Sequence, residues 1–278
     1  MGDGRHVMDC LGMTRVVIED GKVIDVGEPK MKYCPLYKKY RNIDEITSDV
    51  VKENMEMRIS DFGMCTSRRQ TRASDFLSFG VSEILSTALK EGTIDAAVIA
   101  SDGCGTAIVT DPEIVQGLCG RISGLVETSP IEAVISAVGT DNVLDPQCAS
   151  INAIRGAAKA EAMGFGKFAV TVASASDALF IRRSYGSAAI IIAVHTSMTT
   201  ENDAKKYFEN CDMITACGSG SLRKEAKAHM NDIVIAGNKV PVYGVTEFGK
   251  KLVLNKLKSI GREPWTGEPP MDDPSPML

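Results

Sequence analysis

Up to residue 95 the apolar positions alternate or recur every four residues; beyond it they gather into short, solidly apolar runs. "TRVVIEDGKVIDVGEP" alternates about Asp20-Gly21, a dipeptide suited to a turn whose central residues both take positive φ, and predicts a β-hairpin. "MKYCPLYKKY" reads as an extended segment interrupted by Pro35. Val51, Met55 and Ile59 then share one helical face behind Thr47 or Ser48, either of which suits an N-cap. Leu77, Val81, Ile84, Leu85 and Ala88 define a second helix, with Asp75 as its cap and Gly92 just past its end.

The apolar runs "DAAVIAS", "KFAVTVA", "AAIIIAVHT", "CDMITAC" and "KVPVYGV", with a shorter "NVLD", predict strands. Helical patterns lie between them, and this alternation points to βαβ units with helices on both faces of the sheet. The expected fold class is α/β: an open, mostly parallel Rossmann-like sheet of about six strands, since a closed barrel needs eight strand–helix pairs. "DIVIAGNKVPVYGV" adds an expected antiparallel pair about Gly237-Asn238. The reading divides the chain into an N-terminal hairpin, extended segment and helix (1–75), a parallel α/β domain (76–260) and a Pro-rich tail (261–278). Such a tail is either disordered or draped on a partner, with Trp265 as its one anchor.

Composition changes this picture little. With 44% hydrophobic and 24% charged residues in 278, the chain has ordinary globular proportions and is long enough to bury a large core. A net charge of −5 argues against nucleic acid as partner, and no apolar run approaches the roughly 20 residues that would span a bilayer. Eight cysteines without a Cys-x-x-Cys pair, behind a polar opening "MGDGRH", read as reduced thiols in a cytoplasm.

Ligands of open parallel sheets sit beyond the carboxyl ends of the strands. Those ends read "SDGCGT" (101–106), "ASASD" (173–177), "HTSMTT" (195–200), "CGSGS" (217–221) and "VTEFG" (245–249). Small residues admit a ligand to the backbone, and hydroxyls with free N–H groups attract anions. The candidate binding residues are Asp102, Gly103, Gly105, Thr106, Ser174, Ser176, Asp177, Thr196, Gly218, Ser219, Gly220 and Ser221. For any one loop, helix capping is the ordinary meaning of such residues. Neither "GSGS" nor "DGCGT" completes a dinucleotide or P-loop fingerprint. Arg223 and Lys224 stand in the first turn of the helix after "CGSGS", where they oppose its dipole unless an anion binds there.

His195, Cys104 and Cys217 are the candidate catalytic groups, because each ends an apolar strand and titrates or attacks in its charged or uncharged form. Cys34 in "YCPLY" and Cys65, close to Arg68, Arg69 and Arg72, are the candidate ligands of a soft metal or iron–sulfur cluster. Cys119 and Cys148 read as structural, and His6 and His229 receive no role.

The stretches "YCPLY", "DFGMCT", "DFLSFGVSEIL", "DGCGTAIVTDPEIVQGLCGRISGLVETSP" and "NVLDP", in this order, resemble the archaeal family called methanogenesis marker protein 8. The likeness runs from about residue 8 to about residue 258, and the long central block is its specific part. It implies a cytoplasmic archaeal protein in organisms that carry methyl-coenzyme M reductase, and it brings no catalytic residues with it. Three functions fit: a protein or enzyme that holds a small anionic ligand or coenzyme at the strand ends, a cysteine-dependent metal or iron–sulfur assembly factor, and a scaffold within a methanogenesis complex. A homo-oligomer is compatible with each.

Overall fold

The computed structural model describes residues 2–74, 79–237, 239–267 and 274–278. In chain order the elements are β1 (Arg5–Cys10), β2 (Thr14–Glu19), β3 (Lys22–Val26), α1 (Pro35–Arg41), α2 (Ser48–Phe62), α3 (Val81–Lys90), β4 (Ala96–Ser101), β5 (Gly105–Val109), α4 (Pro112–Cys119) and β6 (Gly124–Thr128). There follow α5 (Glu132–Val138), α6 (Ala153–Ala162), β7 (Phe168–Val172), α7 (Ala175–Tyr185), β8 (Ala189–Ala193), α8 (Glu201–Asn210), β9 (Met213–Thr215), α9 (Gly220–Ala228), β10 (Val234–Ala236), β11 (Val242–Gly244) and α10 (Glu247–Ser259). They build two sheets, ordered β3-β2-β1-β6 and β10-β11-β9-β8-β7-β4-β5.

The large sheet is the expected one, parallel across β4, β7, β8 and β9. Its apolar runs are buried on both faces because alternate side chains enter different cores. Ile190 and Ile192 of β8 join Leu85, Leu118, Val134 and Leu252, on α3, α4, α5 and α10. Ile191 joins Ala157, Ile181, Ala204 and Leu222, on α6 to α9. Each fully buried side chain of this size contributes roughly 1.5–3 kcal/mol.

Several expectations are corrected. The sheet has seven strands, because "SDGCGT" is the turn of an antiparallel hairpin between β4 and β5 rather than a strand-to-helix loop. β10 and β11 form the expected antiparallel pair, and β11 also runs antiparallel to β9. The segment 245–249 therefore leaves the sheet at its opposite edge, where Val245 N–H donates to Asp212 O at 2.8 Å. "PLYKKYR" is helical: Pro35 occupies the first turn, where its missing N–H costs nothing. "NVLD" contributes only an isolated bridge, Val143 to Ala107. The α3 helix starts after Gly80, and the expected Asp75 cap and Leu77 lie outside the described residues.

The expected hairpin forms with Asp20 and Gly21 both at positive φ. Its sheet gains β6 from the middle of the chain, paired with β1, and packs Met8, Val16 and Ile18 against Val51, Met55 and Ile59 of α2. The two sheets are joined by a buried polar chain. His6 Nδ1 lies 2.7 Å from Thr128 Oγ1, which accepts from Gly103 N–H at 2.8 Å. One residue before Gly103, Asp102 accepts from Arg69 Nε at 3.1 Å and from Cys65 N–H at 2.7 Å. The tail also touches this body. Trp265 N–H donates to Ile235 O, Ser275 exchanges backbone hydrogen bonds with Tyr33, and Leu278 O accepts from Gly220 N–H at 3.2 Å.

Candidate functional site

A cavity of about 550 Å³ opens where the parallel strands end. Ala100, Thr171, Ala173, His195, Thr215 and Cys217 form its base, at or near the ends of β4, β7, β8 and β9. The connection from α4 to β6, Cys119 to Leu125, supplies the opposite wall, so the small sheet helps to close the site. The first residues of α3, α6 and α7 supply the sides. Mostly apolar concavities with a few convergent polar groups, set where two layers of structure meet, are the usual form of small-molecule sites.

His195 leaves β8 with φ of 55°, left-handed and uncommon for a residue with a side chain. Its ring is accessible within the cavity, yet protein closes around it. That enclosure pushes its pKa down to about 4, while Asp9 favours the charged form. The imidazole is neutral at pH 7 and makes no hydrogen bond among the described residues, so both nitrogens are available to a ligand.

Cys217 also lines the cavity. Burial raises its pKa to about 11 and neighbouring Cys34 adds to this, against the opposite pull of Arg223. At neutral pH it is a thiol, poorly suited to attack unless a bound group takes its proton. Cys119, read from sequence as structural, faces the cavity too, with burial carrying its pKa to about 12.

The remaining site candidates divide. Thr106, Ser174 and Asp177 line the cavity with His195 and Cys217. Thr106 Oγ1 accepts from Asn152 N–H at 2.8 Å, which fixes the start of α6 at the rim. Ser174 caps α7 through Asp177 N–H. Asp102, Gly103, Cys104 and Gly105 do not line it. Gly103 packs against Ile131 and Val134 and Gly105 against the 149–150 loop, while burial drives the Cys104 thiol far above its ordinary pKa. Asp102 titrates below the usual carboxylate range: burial opposes its charge, but Arg69 and Cys65 N–H outweigh it.

At the opening of α9 the structure favours the capping meaning of the hydroxyls. Ser219 Oγ accepts from Leu222 N–H at 3.3 Å, Gly220 N–H is taken by Leu278 O, and Met31 fills the space beside Gly218. Thr196 donates to Thr215 O, and Ser176 is exposed on α7. Ser221 is the second residue of α9.

Cys34 and Cys65 have different thiol neighbours. Cys10 acts on Cys65, whose pKa burial raises well above normal, whereas Cys34 acts on Cys217. Among the described residues no three His, Cys, Asp or Glu side chains gather as a metal site requires. No helix among them is long and apolar enough to cross a membrane.

Sequence reasoning missed Glu83, a buried carboxylate on the cavity wall. Ser82 Oγ donates to it at 2.9 Å and Gln116 Nε2 at 2.7 Å. Its signal was present: an acid at the third position of a helix that begins at the carboxyl edge of the sheet, as Asp177 is in α7.

Uncharacterized protein MJ0054 of Methanocaldococcus jannaschii is 42% identical to this chain over 264 residues, covering 93% of this chain and 92% of that protein. No solved structure matches. Residues 6–258 match the family described as "Uncharacterized protein conserved in archaea (DUF2099)", which spans the small sheet, the large sheet and the cavity between them. The chain belongs to this archaeal family.

Proposed function

We propose that the protein binds a small organic molecule in the cavity between the two sheets, in the cytoplasm of a methanogenic archaeon, as a methanogenesis marker protein 8. The observation that carries the reading is the cavity itself, about 550 Å³ at the carboxyl ends of β4, β7, β8 and β9, with a neutral, unbonded His195 on its floor. Small-molecule sites of α/β sheets form at these strand ends. The methanogen source of the 42% identical relative supports the setting. His195 and Cys217 are the groups able to act on a bound molecule: the imidazole as proton acceptor, the thiol as donor or, once deprotonated, as nucleophile.

Ala173 lines the cavity and belongs to neither buried core, so Ala173→Trp is expected to occupy the space. Small-molecule fractions of a methanogen extract are expected to raise the thermal midpoint of the wild-type protein and to leave Ala173→Trp unchanged. A ligand at a hundred times its Kd stabilises by about 2.7 kcal/mol, well within reach of this assay. Equal shifts in both proteins, or no shift with any fraction, would count against the cavity as the site.

A further inference from the structure

We infer that Cys34 and Cys217 form a thiol–disulfide couple, a reversible modification site that a small organic disulfide oxidises, tying the start of α1 to the floor of the cavity.

Two distant stretches of chain meet here, and three sets of contacts hold them together. Met31 Sδ lies 2.0 Å from where a Cβ on Gly218 would stand, so the segment before α1 runs against the loop after β9. On the inner side, Leu36 and Cys217 both line the cavity. On the outer side the tail bridges the same two segments. Ser275 exchanges backbone hydrogen bonds with Tyr33 at 3.0 and 3.1 Å, and Leu278 O accepts from Gly220 N–H at 3.2 Å. The three residue steps from Ser275 to Leu278 span at most about 11 Å of extended chain, which keeps the two segments close.

Among the described residues, three cysteine pairs are near enough to act on one another: Cys10 with Cys65, Cys104 with Cys119, and Cys34 with Cys217. In the first two pairs the partner's charge ranks behind those of Asp102 and Arg69, and Cys65 and Cys104 are fully buried. For Cys217 the charge of Cys34 is the strongest that acts on it, ahead of Arg223. Both of these thiols are half-buried, so a small molecule can reach them.

Cys34 is the entry thiol, because Cys217 holds its proton with a pKa of about 11. The Cys34 thiolate attacks one sulfur of R–S–S–R, forms Cys34–S–S–R and releases RS⁻, which takes up the Cys34 proton. Cys217 then attacks the Cys34 sulfur, and its proton leaves with the second RS⁻. The protein loses two electrons and two protons, and one disulfide becomes two thiols. The second attack is intramolecular, which offsets the weak acidity of Cys217. In the oxidised form Cys217 has neither a proton to give nor a thiolate to attack with. That consequence rests on the reading of the cavity as a small-molecule site; the bond itself does not.

The test exposes the full, reduced chain to 2-hydroxyethyl disulfide, quenches with acid, alkylates and maps the peptides by mass spectrometry. A peptide pair joined through Cys34 and Cys217 is expected to form roughly tenfold faster than any other cysteine cross-link, and dithiothreitol to reverse it. Exposed Cys148 reports simple adduct formation in the same sample. Cys217→Ser is expected to trap Cys34 as a stable hydroxyethylthio adduct, and Cys34→Ser to leave Cys217 unmodified over the same time. Separate adducts on Cys34 and Cys217 with no bond between them overturn the inference. So do cross-links between other cysteines at an equal rate, or modification of Cys148 while Cys34 stays unreacted. All three results leave the cavity reading in place, because ligand stabilisation is measured on the reduced protein.

Discussion

Arg69→Met is expected to destabilise the protein by about 3–5 kcal/mol, read as a lowered urea midpoint at pH 7 with an unchanged slope. Both side chains of the Arg69–Asp102 pair are fully buried. Removing the guanidinium strands a carboxylate that still accepts from Cys65 N–H and Ser101 Oγ but has lost its counter-charge. It also releases Leu118 O and Gln70 O, which Arg69 serves. The cost is large because a lone buried charge is penalised far more than a pair contributes. The double variant Arg69→Met/Asp102→Asn is therefore expected to lose less than the two single losses combined. A loss below 1 kcal/mol for Arg69→Met would contradict a dry, paired site.

The same pair sets an acid dependence. Asp102 has a lowered folded-state pKa, so its contribution is complete above the unfolded carboxylate pKa of roughly 4 and vanishes as pH falls through the lower folded value. The gap between wild type and Arg69→Met should consequently narrow as acid is added below about pH 4.

Gly105→Ala is the second large effect. Gly105 has φ of +63°, and a Cβ there would lie 2.0 Å from Ala149 O and 2.7 Å from Ser150 O. The left-handed conformation alone costs an alanine roughly 1–2 kcal/mol. The collision is with backbone and cannot be relieved by a rotamer, so the 149–152 connection that delivers Asn152 to the rim must shift. We expect a total of about 3 kcal/mol or more. Gly92→Ala is the matched control: its φ is +64°, and nothing lies within 4 Å of the added carbon. Equal losses in the two variants would show that the close approach at Gly105 carries no cost.

Gly105 also shows where the sequence was legible and where it was not. The solid runs "AAIIIAVHT" and "KFAVTVA" announced buried parallel strands because two-sided burial leaves no polar positions. The Asp20-Gly21 turn and the Val51, Met55, Ile59 face were equally plain, since local chemistry alone decides them. "SDGCGT" was ambiguous: glycines that let a ligand approach and glycines that let the protein's own backbone approach look the same in a sequence. Here Ala149 and Ile131 fill the space. The pairing of β1 with β6, contacts more than a hundred residues apart, left no local trace. Neither did the meeting of Cys34 with Cys217.

His195, Ser174 and Asp177 were legible as a rim because strand ends and helix starts in an α/β sheet fall on one edge by topology. The segment 245–249 was misplaced for the same reason in reverse. β11 is antiparallel, and its carboxyl end faces the other way. Glu83 went unread because an acid in the first turn of a helix is ordinary, and only the cavity gives it a second meaning.

The most direct measurement is a crystal structure of the full chain grown with the extract fraction that raises its thermal midpoint most. We predict a bound small molecule between the ends of β7 to β9 and the 119–125 connection, with a polar atom within hydrogen-bond distance of His195, Ser174 or Asp177. Density for a bound molecule only at another place on the protein, or a space packed shut by the protein's own apolar side chains, would contradict the account.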